Sequence, residues 1–207
     1  FTLMAPMLLA RTGNNELILG SVNTAGAIGG VVGGLAMSAW GGPKRRVLGV
    51  LGGWLLFGLL GGTLFGVGQA LPIWLIASFA AAFFGPIIDA SNQAIWMAKV
   101  EPDVQGRVFG VRRMIAWAIS PLARLIAGPL ADRVFEPAMQ QGGGLAATFG
   151  WLVGTGEGTG MSLILVLSGI GVALVAIAGY LVRVVRNAED ILPDFDATPE
   201  DAAGAAA

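Results

Sequence analysis

Asp89 sits inside a long apolar run and is followed closely by Ser91, Asn92 and Gln93. A charge at bilayer depth costs about 2.5–3.5 kcal/mol on insertion scales, so something must offset it. A water-filled cavity would do so, and a carboxylate there can pass a proton between two aqueous faces. The other reading places Asp89 near the end of its helix, where it accepts hydrogen bonds from neighbouring helices. Gly85-Pro86, one turn earlier, breaks helical hydrogen bonding and bends this half of the helix. Arg124 is the second charge within an apolar run and follows Ser120-Pro121. It either faces a central cavity and attracts an anionic group or snorkels to the headgroups. At about 1.5 Å of rise per residue, Asp89 falls in one half of its helix and Arg124 past the middle of the next, so a direct ion pair is not expected. Asn23, Phe83, Phe84, Trp96 and Trp117 either line a cavity or pack against helices and lipid.

Few other chemistries remain open. The chain has neither cysteine nor histidine, which removes disulfides, thiolate metal sites, the commonest metal ligand and the usual acid/base group near neutral pH. No cofactor, metal or nucleic-acid partner is expected, and an enzyme is remote. The glycine-rich stretches QQGGG and GTGEGTG lack the Lys-Ser/Thr ending of a phosphate loop and read as flexible linker.

These residues must be carried by membrane-spanning helices. Of the 207 residues 55% are apolar and 12% charged, and the mean hydropathy is +0.75, far from an ordinary soluble domain. Five runs, 16–40, 47–68, 73–98, 108–131 and 161–184, are each near or above the roughly 20 residues a bilayer requires. The opening piece FTLMAPMLLA, residues 1–10, is too short to cross and has no initiator methionine, so the chain reads as a fragment beginning in the last turns of a truncated helix. An outer loop is expected over 132–160, with LAATFGWLV resting at the interface, and a disordered acidic tail over 187–207.

Charge supplies an independent test of topology. Lys44, Arg45, Arg46, Lys99, Arg107, Arg112, Arg113, Arg183 and Arg186 fall on one side, Arg11 and Arg133 on the other. By the positive-inside rule the first side is cytoplasmic and so is the C-terminus. In the first run Gly26, Gly30 and Gly34 recur every fourth position, as do Gly29 and Gly33, giving a face almost without side chains. Such a face serves either static packing or a sliding contact between moving helices.

The stretch from Gly33-Gly34-Leu35-Ala36 to Lys44-Arg45-Arg46 resembles the loop signature of the major facilitator superfamily, Gly-x-Leu-Ala-Asp-Arg-x-Gly-Arg-Lys, in its degenerate second-half copy. Met37 and Ser38 stand where the acid and base of the motif would be, so its gating charges are not expected here. Gly128-Pro129-Leu130-Ala131-Asp132-Arg133 matches the opening letters better but falls at the outer end of the fourth run. Together with VQGRVFGVRRMIAWAISPLARLIAGPLADRVFEP and GPIIDASNQAIWMAKVEPD, these phrases resemble the second half of the macrolide-efflux branch of the drug:proton antiporters, over Phe1 to about Arg186. The resemblance implies an all-α membrane protein, the C-terminal six-helix half of a twelve-helix major facilitator fold with its first helix truncated. It implies proton-coupled efflux of an amphipathic small molecule, with the lipid bilayer, protons, substrate and an N-terminal half of the same protein as partners. Asp89, Asn92, Gln93, Arg124 and Asn23 are then candidates for the substrate or proton pathway. Export of another metabolite, such as a siderophore, and a stand-alone scaffold without transport are the alternatives.

Overall fold

The computed structural model describes residues 2–191, 194 and 195, which are helical and contain no strand. Among the described residues, five helices are long and apolar enough to cross a membrane: Glu16–Trp40, Arg46–Val67, Leu71–Lys99, Pro102–Met139 and Thr159–Leu181. They are called the first to fifth spans below.

Local chemistry explains their ends. Asn15 caps the first span by accepting the backbone N–H of Leu17 and Ile18 at 3.1 and 3.2 Å. The same helix stops at Gly41 and Gly42, with φ of +77° and +84°. Only glycine adopts this left-handed backbone at little cost, and Pro43 then blocks any continuation. The third span runs unbroken through Pro86. That proline removes one donor without ending the helix.

Two wide π-helical turns depart from a simple reading of the apolar runs. Phe57–Thr63 is π-helical within the second span, and Thr63 Oγ1 donates to the Gly58 carbonyl at 3.0 Å. Gly58 and Gly66 there let the backbone press on the fifth span, where an added Cβ would fall 2.5 Å from the Gly169 carbonyl oxygen and 2.6 Å from that of Ser162. The other wide turn corrects the fourth boundary. Helix begins at Pro102 rather than 108 and continues through Ala131–Phe135 and Glu136–Met139. The expected loop 132–160 is therefore helical over its first eight residues and again at Ala146–Val153. Asp132, Arg133 and Glu136 look like a loop in sequence, yet Glu136 is used by the next helix, as described below.

The third span is the axis of the bundle. The first and second spans pack along it, the second also packs on the fifth, and the fourth joins the fifth mainly through Ala131–Met139. The core lies at the end remote from the basic connectors. Met7, Leu8, Val22, Phe65, Trp74, Ala131 and Leu165 form one buried cluster there, and Met139, Val153, Leu163 and Val166 form a second. Met7 and Leu8 come from the short helix Met4–Arg11. Along Pro102–Leu130, by contrast, no residue is buried. The fourth span is thus packed at one end and, along the rest, meets the third mainly through side chains, Gln105 Nε2 donating to the Met97 and Val100 carbonyls at 3.1 and 2.9 Å.

The basic connectors do gather at one end. Arg45 pairs with Asp190 at 3.4 Å, Lys99 with Asp194 at 2.9 Å, and the Arg46 guanidinium donates to the Ala94 carbonyl at 3.4 Å. This corrects the expectation of disorder for part of 187–207. Residues Ala188–Ile191 form a helical turn, the Glu189 carboxylate accepts the backbone N–H of Arg46 and Val47 at 3.1 and 3.2 Å, and the Phe195 N–H donates to the Ala98 carbonyl at 2.9 Å. An acid at the exposed N-terminus of the second span satisfies donors that Arg45 cannot. Composition reads such acids as solvated, because their partners lie more than ninety residues away. Residues 196–207 lie outside the described residues.

Candidate functional site

A cavity of about 740 Å³ opens between the third and fourth spans in the half nearer the basic connectors. Asp89, Ala90, Asn92 and Gln93 supply one wall; Phe109, Arg112, Arg113, Ala116 and Trp117 supply the other. Antiparallel geometry sets the match. Asp89 lies ten residues before the end of its helix and Arg112 ten residues after the start of the next, about 15 Å from the same face in each case. The two backbone positions therefore share one depth, and the Arg112 side chain leans back toward the basic end, where its guanidinium lies over Trp96.

Asp89 is open to the cavity, and among the described residues it has no hydrogen bond or ion pair. Its neighbours are already engaged. Asn92 Oδ1 accepts from Trp96 Nε1 at 3.2 Å, Arg112 stacks over the Trp96 ring at 4.9 Å, and Arg113 lies over Trp117 at 5.4 Å. Stacking holds each guanidinium in place and leaves its N–H edges available to an anion. The site thus offers one unpartnered carboxylate and two oriented cations around a space large enough for a small molecule.

Asp89, Asn92, Gln93 and Trp117 all line this cavity. Arg124 does not. It is exposed, about 18 Å further along the fourth span than Arg112, and lines no part of this cavity. Asn23 is also exposed and away from it, and Phe83, stacked on Phe79 and edge to face with Phe84, lines no part of the cavity, nor does Phe84. Ser91 turns the other way, buried against Gly49 and Pro43. Arg112 and Arg113 serve in sequence as topology markers, and their role in the cavity appears only when two helices are aligned from one face. Of the loop residues, Gly33 is buried in helix packing while Leu35 is exposed.

The glycine face is rotated from its expected setting. Gly29 and Gly33 lie against the backbone of Phe79 and Phe83, Gly26 faces Ser78, Gly30 lies at the margin, and Gly34 meets nothing within 4 Å. The repeat in contact is Gly29-x-x-x-Gly33. Both repeats fit the same sequence rule, and only the position of the third span selects between them.

A second polar cluster closes the far end. Arg11 Nη1 donates to Ser162 Oγ at 2.7 Å, while Glu136 accepts the backbone N–H of Gly158 at 3.2 Å and of Met161 at 3.1 Å. Burial lowers the pKa of Arg11, which lies outside the five spans, and the nearby Glu136 carboxylate counteracts this. Glu136 thus caps the fifth span and offsets a half-buried cation, tying three segments together. Replacing Glu136 with Ala leaves two helix donors and that cation uncompensated. With hydrogen bonds to charged groups worth about 1.5–3 kcal/mol each, the Glu136→Ala protein is expected to lose about 3 kcal/mol of stability, read as a lower unfolding midpoint in detergent.

No family model matches the chain, and no curated protein or solved structure matches it.

Proposed function

We propose that the chain forms part of a secondary active transporter of the major facilitator type, exporting an amphipathic small molecule in exchange for protons. The observation that carries this reading is the cavity at Asp89, Arg112 and Arg113, where charged groups at bilayer depth surround empty space instead of pairing. A purely structural charge would be expected to have a partner. The fourth span is packed at the far end and unburied over its half nearer the basic end, which suits one state of an alternating-access cycle with its site near mid-membrane. With the basic end cytoplasmic, the cavity faces inward.

In this cycle Asp89 exchanges a proton with the inner aqueous phase, and Arg112 and Arg113 answer the charge that appears or vanishes there. Trp117 and Phe109 provide apolar surface for the substrate. The protein binds and gates and makes no bonds. The partner half of the transporter supplies the opposing wall.

Two measurements test the proposal. A reporter fused after Arg186 is expected to be active only when matched to the cytoplasm, and periplasmic activity would reverse the orientation. Cells carrying the full gene are expected to tolerate higher doses of some amphipathic compound than cells lacking it, across a drug-susceptibility panel that includes macrolides. A panel without any difference, together with no pH-gradient-driven flux in proteoliposomes, would favour a scaffold without transport.

A further inference from the structure

A second groove, about 500 Å³ in volume, lies beside the Asp89 cavity and differs from it in chemistry. Its lining is Trp96, Arg107, Val108, Val111, Arg112 and Ile115. On the fourth span Val108, Val111, Arg112 and Ile115 follow i, i+3, i+4 and i+7 spacing and form one stripe along the helix, and Arg107 stands at the edge of that stripe, one turn before Val111. The stripe is graded. Arg107 lies nearest the basic end, Arg112 about 7 Å deeper, and Ile115 about 12 Å deeper than Arg107, with valines between. Among the described residues neither arginine has a carboxylate partner, and Asp103, one turn before Arg107, makes no ion pair with it. Arg112 lies over Trp96, 4.9 Å from the ring centroid, and among the described residues makes no side-chain hydrogen bond, so its N–H groups are available.

We propose that this groove binds an anionic phospholipid from the leaflet at the basic end. Its phosphate sits between Arg107 and Arg112, and an acyl chain lies along Val108, Val111 and Ile115. The charge gradient is the argument. A guanidinium fork matches phosphate geometry bidentately, and tryptophan belongs at headgroup level. An uncharged peptide helix would leave both cations unanswered at that depth, and a soluble anion would leave the apolar wall unfilled. Basic pockets between helices near a membrane face are suited to anionic headgroups.

The purified protein, delipidated in mild detergent, is offered phosphatidylglycerol or phosphatidylcholine, and bound lipid is counted by native mass spectrometry. Phosphatidylglycerol is expected to be retained at least tenfold better than phosphatidylcholine, and this preference is expected to vanish in Arg107→Gln/Arg112→Gln. It should survive in Arg107→Lys and in the control Lys44→Gln/Arg183→Gln. Equal retention of the two lipids, or the same loss in the control, would overturn the proposal by showing diffuse attraction. A second readout does not depend on the arginine variants folding: brominated phosphatidylglycerol should quench the fluorescence component that the native protein loses on Trp96→Phe. Absence of that quenching, as expected if a protein partner fills the groove, would also overturn it.

Discussion

Asp89→Asn is expected to slow pH-gradient-driven efflux at least tenfold in proteoliposomes and to flatten the dependence of the remaining rate on pH. Asparagine keeps the size of the side chain and removes only the ionisable proton. Asp89 has no hydrogen-bond or ion-pair partner among the described residues, so the substitution breaks no structural contact. The helix is expected to keep its fold and its stability. What changes is the charge of the cavity, where Arg112 and Arg113 then stand without a countercharge. A unit charge at this depth is worth about 2.5–3.5 kcal/mol on insertion scales, enough to bias a two-state equilibrium by a factor of about 70 to 400. Exchange of substrate across the membrane without a gradient should persist, since that cycle carries no net proton. Transport with unchanged rate and unchanged pH dependence would leave Asp89 a structural residue and move the coupling acid elsewhere in the transporter.

The spans were legible because membrane hydropathy is a strong, local signal. The expected 16–40 coincides with Glu16–Trp40, and 73–98 differs from Leu71–Lys99 by one or two residues at each end. The fourth span was read short because Pro129, Asp132 and Arg133 look like an exit from the membrane. The helix continues past them through a π turn, and Glu136 ends up capping a helix that starts more than twenty residues later. Hydropathy windows do not register such remote partners. The same reason hid the Arg11–Ser162 bond and the anchoring of Glu189 on Arg46 and Val47. The candidate site was half legible. Asp89, Asn92 and Gln93 stand out as polar residues in an apolar run, whereas Arg112 and Arg113 belong to a plausible run of flanking cations until the two helices are set side by side.

The largest stability effect is expected at the glycine contact. A Cβ at Gly29 or Gly33 would overlap the carbonyl and Cα of Phe79 or Phe83, which are backbone atoms and cannot rotate away. The first and third spans would have to separate, and with them the contacts around Val22 and Ser78, whose hydroxyl donates to the Val22 carbonyl at 2.9 Å. Overpacking inside a well-filled core costs about 1–3 kcal/mol even where side chains can adjust. Here neither partner can adjust, so Gly33→Val is expected to cost about 3 kcal/mol or more, and the double variant with Gly29→Val to prevent assembly of the bundle. Gly34→Ala is the matched control one position along the same helix. Its Cβ meets nothing within 4 Å, and alanine favours helix by about 1 kcal/mol over glycine, so that variant should be as stable as the native protein or slightly more so. Unfolding midpoints in a denaturing detergent series would separate the two outcomes. Equal midpoints for Gly33→Val and Gly34→Ala would mean that the first and third spans do not meet along Gly29 and Gly33.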